Sequence, residues 1–273
     1  MVTRSQNDYN GFKEQIQSEL MTHEIITNNK YTRWFKEADL SLQEVRHFAV
    51  QFSVFSNWFM VAQLKKVINA SSLEEMRKSK EILASELGTV FNNKNKKKEI
   101  QKNTENDEES ILVSTEGTVD GGRFLFKAAH FEWMLDFGRP LDLGFNDLGK
   151  RKHGTKTTLH FMDELDRLYG SEDFSVGSGA SYAVENWAAA GFWKELIQGL
   201  ERFKKNKLPN LPLSFFKWHD KVEDQHAGHT HDELKEVYFY PEFSEEKFIK
   251  TGKEMLIGVQ TFWDGLNNDR LKR

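Results

Sequence analysis

The chain has 273 residues, with 38 basic against 42 acidic side chains and a formal net charge of −4. That length allows one large domain or two small ones around a sizeable core, and a charge this close to balance argues against a dedicated nucleic-acid or polyanion binder. Cysteine is absent, which rules out disulfides, zinc–thiolate sites and a Cys nucleophile, and fits a reducing cytoplasm. The opening segment MVTRSQNDYNGFKEQ has no apolar stretch and no cleavage-site pattern, so it does not read as a secretory signal. No uncharged apolar run approaches the roughly 18 residues of a membrane span. A cytoplasmic protein with no membrane and no nucleic-acid partner is the expectation. Phe occurs 22 times and Trp seven times, so rings dominate the interior, while only four prolines leave long stretches open to helix.

A helical period dominates the pattern. Residues 11–26 place Phe12, Ile16, Leu20 and Ile25 or Ile26 on one side. Residues 41–68 start at Ser41 with Glu44 three positions on, a capping box, and repeat Phe48, Phe52, Phe55, Phe59 and Ala62 every three or four residues. A helix this apolar on several sides belongs at the centre of the fold. Residues 72–91 open at a Ser cap with Glu75 in the box position and carry Met76, Leu83, Leu87 and Val90 as a stripe. Residues 92–110 are almost free of apolar side chains. They begin a solvated or disordered insertion assigned to 92–120, with ILVSTEGTVDGG as a short strand and turn. Helix resumes at 123–137 and stops at Gly138-Arg139-Pro140, and a short helix follows at 156–169. The Gly-rich stretch SVGSGAS reads as a loop leading into a helix at 181–204, and Pro209 and Pro212 mark the next break. A helix at 212–228, extended past a kink near Gly228, and a closing helix at 242–267 complete the chain. The sum over 1–273 is an all-α, single-domain bundle of about seven helices with one polar insertion.

His219, Glu223 and His226 stand four and three residues apart, two helical turns, so their side chains share one face. Phe215 and Val222 lie on that same face, which turns the stripe inward. Two imidazoles and a carboxylate, with no thiolate in the chain, suit iron or manganese, with zinc next. An ionised Glu facing inward requires compensating charge, and a divalent cation supplies it. On a solvated face the same spacing would carry no chemistry, and the zinc-protease motif H-E-x-x-H is absent. Glu185 adds a carboxylate within the apolar run SYAVENWAAAGFW; the competing reading is a surface Glu beside Asn186. His130 lies among Phe126, Met134 and Phe137, where a lone His is ordinarily a satisfied core residue.

Taken in order (a Glu, His130, Glu185, then the His219-Glu223-His226 stripe) these residues resemble the haem-oxygenase-like di-iron oxidases and oxygenases, also called iron-containing redox enzymes. The segment HEIITNNKYTRWFKEADLSLQEVRHFAVQFSVF is similar to that family's opening, and the resemblance covers most of residues 20–265. It implies a haem-oxygenase-like bundle and two Fe ions, the second one labile, held by three His and three carboxylates, with Mn as the lesser choice. It also implies O2 reduced to a bridging peroxide, a small-molecule substrate (an amine, amino acid or fatty acid) and a homodimer. The carry-over assigns His130, Glu185, His219, Glu223 and His226 to ligand positions. For the remaining carboxylate it favours Glu86 in SELGTVF, over Glu116, Asp120 and Glu132. In the family that Glu stands shortly before the His; here 44 residues intervene, and a looped-out insertion accounts for the gap at little entropic cost. Many members carry Asp where this chain has Glu223, one methylene longer. Tyr182, one turn from Glu185, is the candidate outer donor or redox-active phenol. Trp133, Trp187, Phe192, Trp193, Phe216 and Trp218 either line a substrate pocket or pack the core, and His229 and His231 read as exposed. A haem protein using His23 or His47 as proximal ligand leaves the stripe unexplained. Thiamine-salvage hydrolysis on the same scaffold needs a Cys this chain lacks, and a non-catalytic scaffold docking through 92–120 is the third alternative.

Overall fold

Side-chain caps mark where the helices begin. Ser5, Ser41, Ser72, Asp173 and Ser244 each turn an oxygen back onto backbone N–H groups of the first turn, which helix geometry leaves without intrahelical partners. At Ser5 and Ser41 the acid three residues on, Asp8 or Glu44, returns the bond and completes a capping box. Glu75 reaches one residue further back, to Ser71. The computed structural model describes residues 4–92, 123–126 and 130–272, with the backbone alone described at 90–92, 123–126, 222–227 and 229.

The described helices are α1 (Gln6–Glu19), α2 (Glu24–Thr27), α3 (Lys30–Glu37), α4 (Leu42–Ile68), α5 (Leu73–Glu86), α6 (His130–Gly138), α7 (Lys156–Glu164), α8 (Phe174–Ala188), α9 (Phe192–Asn206), α10 (Ser214–Val237) and α11 (Glu245–Leu271). Strands β1 (Thr89–Asn92) and β2 (Arg123–Phe126) pair antiparallel, Thr89 opposite Phe126 and Asn92 opposite Arg123. The chain is therefore all-α apart from one two-stranded ribbon. That ribbon replaces the end of the helix expected at 72–91 and the start of the one expected at 123–137, and Leu87, read as part of a buried stripe, is 47% exposed. The insertion assigned to 92–120 lies, beyond Asn92, outside the described residues. No described helix is long and apolar enough to cross a membrane.

α4 runs through the middle, with Phe48 and Phe52 fully buried. Phe52 meets Phe55, Trp193, Phe215 and Trp263 at ring-centroid distances of 4.6 to 6.2 Å, so α4, α9, α10 and α11 share one aromatic core. Burying each such ring contributes on the order of 1.5–3 kcal/mol. Two helical boundaries differ from the sequence pattern for physical reasons. SVGSGAS is not a loop but the first half of α8: a Cβ at Gly179 would fall 2.4 Å from the Phe248 carbonyl oxygen, so glycine is what lets α8 and α11 approach. The helix expected over 181–204 is two helices, broken at Gly191, whose φ of 98° is open to glycine at little cost. α10 continues unbroken through Gly228. α7 passes into a single π turn, Leu165–Tyr169, which leaves the Tyr169 ring 1% exposed in the core.

Candidate functional site

Four helix ends and middles deliver the site. Glu86 is the last residue of α5 and His130 the first of α6, so the chain leaves this point through β1 and returns to it through β2. The Glu86 carboxylate is in direct contact with His130 Nδ1, and both side chains are almost buried. A carboxylate accepts only, so Nδ1 carries the proton and Nε2 the lone pair. His130 Nε2 is itself buried and has no hydrogen-bond partner among the described residues.

His219, on α10, stacks on Trp193 at 4.7 Å between centroids, and its ring centre is also 4.7 Å from that of His130. Its Nδ1 donates to the Phe215 carbonyl one turn back, at 2.7 Å. The lone pair is therefore on Nε2, the arrangement in which metal-binding imidazoles are commonly held. Phe215 is buried beside it, as the inward stripe requires. Glu185, on α8, is 6% exposed and accepts a 3.1 Å hydrogen bond from the Tyr169 hydroxyl. Gln63 donates to the same hydroxyl at 2.8 Å, which commits the phenolic proton to Glu185. Burial, and then the Glu185 charge, hold the Tyr169 phenol well above its usual range, so it remains a donor.

Glu86, Glu185 and His219 all line one internal cavity of about 60 Å³. Apart from Ser56 its other walls are apolar, including Phe52, Phe59, Phe161, Trp187 and Phe192, and no Lys or Arg is among its lining residues. Glu86 also lines an adjoining small cavity with His130. The structure thus brings together Glu86, His130, Glu185 and His219. Glu223 and His226 follow on α10, and their side chains lie outside the described residues. Among the described residues, no three His, Asp or Glu side chains stand close enough to hold an ion unaided. Of the rival carboxylates, Glu132 is exposed, and Glu116 and Asp120 lie outside the described residues.

Tyr182 does not line this cavity; its hydroxyl meets His231 Nδ1 at 3.1 Å. The phenol on Glu185 is Tyr169, which sequence reasoning passed over because only the π turn brings it round. Trp187, Phe192 and Trp193 line the cavity, whereas Trp133 and Trp218 pack around His130 and Phe216 lies in the core. Neither His proposed for haem faces the cavity. His23 Nδ1 caps α2 by accepting from Ile25 N–H, and His47 Nε2 contacts Asp269 Oδ2 at 3.2 Å.

No family model and no curated protein matches the chain. Solved structures do. A domain of unknown function with a haem oxygenase-like fold from Shewanella denitrificans superimposes with a TM-score of 0.62 at 13% identity, over 98% of this chain and 95% of that one. A TenA homologue from Pseudomonas syringae gives 0.61 at 11% identity, covering 94% and 93%. A CADD-like protein of unknown function from Nostoc punctiforme gives 0.62 at 17%, covering 96% and 98%. The chain has the haem-oxygenase-like fold.

Proposed function

We propose that this protein is a non-haem, iron-dependent oxidase or oxygenase that uses O2 on a small organic substrate. Glu86, His130, Glu185 and His219, with Glu223 and His226 further along α10, are the residues that would hold two irons. The observation that carries this reading is convergence: Glu86, Glu185 and His219 line one largely apolar cavity, and His130, held by Glu86, lines the small cavity beside it with its buried Nε2 unpartnered among the described residues. The donor set fits the group. It is all nitrogen and oxygen, as iron and manganese prefer, and both rings present a lone-pair nitrogen with the opposite N–H tied to a carboxylate or a backbone carbonyl. Iron bound there would supply the electrons that O2 reduction needs.

The chain's own groups do the rest. The Phe215 carbonyl fixes the His219 tautomer, Tyr169 holds one rotamer of Glu185, and Trp187, Phe192 and Trp193 keep bulk water from the cavity. The test is anaerobic reconstitution with ferrous ion followed by metal analysis. Wild-type protein is expected to retain stoichiometric iron and to consume O2. His219→Ala and Glu185→Gln are expected to lose the iron while keeping their helical circular dichroism. Wild-type protein that returns from reconstitution without iron would end this reading.

A further inference from the structure

Two indoles bridge the candidate site and the surface. Trp218, on α10, has its ring centre 4.6 Å from that of His130 and 5.1 Å from that of His219, so it packs on both imidazoles. Trp133, on α6, lies 5.8 Å from Trp218 and nearly parallel to His130, at 6.2 Å and 18°. His130 and His219 are 6% and 7% exposed, whereas both indoles are only half-buried. A single ring contact therefore separates the two imidazoles from an indole that reaches solvent.

Ring chemistry decides what such a bridge can carry. An indole gives up one electron far more readily than a phenyl ring, and phenyl rings (Phe52, Phe55, Phe59 and Phe161) make much of the cavity wall. Cysteine, another ready one-electron donor, is absent. Trp193 also stacks on His219, but that direction leads inward. The Nε1 atoms of Trp193, Trp187 and Trp263 are all buried without an acceptor among the described residues, so an oxidised indole there has nowhere to release its proton. Tyr169 is oxidisable too, yet its described ring neighbour is Phe59, which passes no charge onward.

We propose that Trp218 and Trp133 form an outlet that drains an oxidising equivalent from the site when O2 has reacted there and no substrate is bound. This rests on the oxidase reading. One electron passes from the Trp218 indole to the site, one from Trp133 to Trp218, and one from a small reductant in solution, of the ascorbate class, to Trp133. The Trp133 indole proton leaves to water and returns with that last electron; no other bond is made or broken. Met60 and Met134 line the small cavity beside His130, and an undrained oxidant would reach their thioethers and leave sulfoxides.

The test mixes the ferrous-loaded full chain with O2 in the absence of substrate. Samples are frozen for electron paramagnetic resonance and digested for peptide mass spectrometry. Wild-type protein is expected to give an indole radical that narrows when the protein carries ring-deuterated tryptophan and disappears with ascorbate. Trp218→Phe keeps an aromatic ring, so it is expected to hold wild-type iron, to lose the radical and to raise Met60 and Met134 sulfoxide about tenfold. Trp218→Tyr restores an oxidisable ring and is expected to bring the sulfoxide back down. Trp133→Phe is expected to keep the radical and to slow its removal by ascorbate about tenfold; it carries the test by itself should Trp218→Phe lose iron. Trp58, 38% exposed on α4 and away from these rings, is the control, and Trp58→Phe is expected to change nothing. Wild-type protein without iron ends the oxidase reading itself. Iron-loaded wild-type protein with no indole radical, a signal that narrows only with deuterated tyrosine, or sulfoxide and ascorbate kinetics unchanged in both Phe variants overturns the outlet and leaves the oxidase reading standing.

Discussion

Two clusters of largely buried acid lie along α8 and differ in the described groups that meet them. At Ser178 and Ser181 the acid is Glu233, which meets Lys66 Nζ at 2.9 Å and accepts from Ser178 at 3.2 Å, while Lys66 also donates to Ser181. One turn on, at Glu185, the acids are Glu185 and Glu86, their described contacts are a phenol and an imidazole, and the cavity they line contains no Lys or Arg. The first cluster is closed: a fixed ammonium supplies the charge and the serines satisfy what remains. The second consists of acceptors and lone pairs around a space. Burial of acid alone therefore does not mark a site. What distinguishes the two among the described residues is the Lys66 ammonium at the first, where the lining of the cavity at the second includes no Lys or Arg.

The sharpest way to break this contrast is to remove the fixed cation. Lys66 and Glu233 side chains are 9% and 17% exposed, so Lys66→Met strands a nearly buried carboxylate. We expect a loss of about 3–5 kcal/mol in urea unfolding. Lys66→Met with Glu233→Gln should recover most of it, because the stranded charge is gone. In metal-free protein Glu185→Gln should cost about 1 kcal/mol or less, since the amide oxygen still accepts from Tyr169. Equal costs for Lys66→Met and Glu185→Gln would mean that the two acids are held alike and that the contrast is false.

The same contrast governs what could be read without coordinates. The central helix, its Ser41–Glu44 box and its buried Phe48 and Phe52 follow from periodicity and capping chemistry, and they appear as expected. The inward face of His219 follows from Phe215 in the same way. The meeting of Glu86 with His130 came from resemblance, because nothing local brings together residues separated by 44 positions; the β1–β2 ribbon does that. Other misses are cases in which tertiary contact outweighed local signal. SVGSGAS has the composition of a loop, yet it is helical because α11 leaves no room for a Cβ at Gly179. α3 does not stand out in the sequence because eight residues give too short a periodic pattern. Tyr169 was hidden because a π turn breaks the 3.6-residue period on which the reading depends.

Tyr169 sharpens the contrast from the side of the cavity. Tyr169→Phe removes the donor to Glu185 and leaves the Gln63 amide without its acceptor, in a region with no access to water. Unfolding free energy should fall by about 1–3 kcal/mol. On the iron reading, metal affinity should also fall about 10–100-fold, as is usual when a group orienting a ligand is lost. Lys66→Arg serves as the control, since it keeps the positive charge at Glu233 and should leave iron affinity unchanged. A Tyr169→Phe protein with wild-type iron affinity would show that Glu185 needs no such support.

The smallest effect belongs to the other tyrosine on α8. Tyr182 bonds to a ring nitrogen rather than to an acid, so its replacement by Phe should cost about 1 kcal/mol or less near neutral pH and leave iron binding unchanged. Its signature is the pH dependence. Burial, and then Tyr9, push the Tyr182 phenol from its usual 10.0 up to about 12. Between those values the unfolded chain has lost the proton and the folded chain keeps it. Stability from this group is therefore complete below pH 10 and is lost as pH rises towards about 12. Burial also holds the His231 imidazole below its usual 6.5, ahead of the opposing pull of Asp232. That contribution has the reverse sign: present above 6.5, lost as pH falls through the depressed value. Urea midpoints measured across both limbs should decline more gently in Tyr182→Phe on the alkaline side and in His231→Gln on the acid side. Curves that stay parallel to wild type on both limbs would show that neither group changes its protonation on unfolding, and that Tyr182 is no more than a core ring.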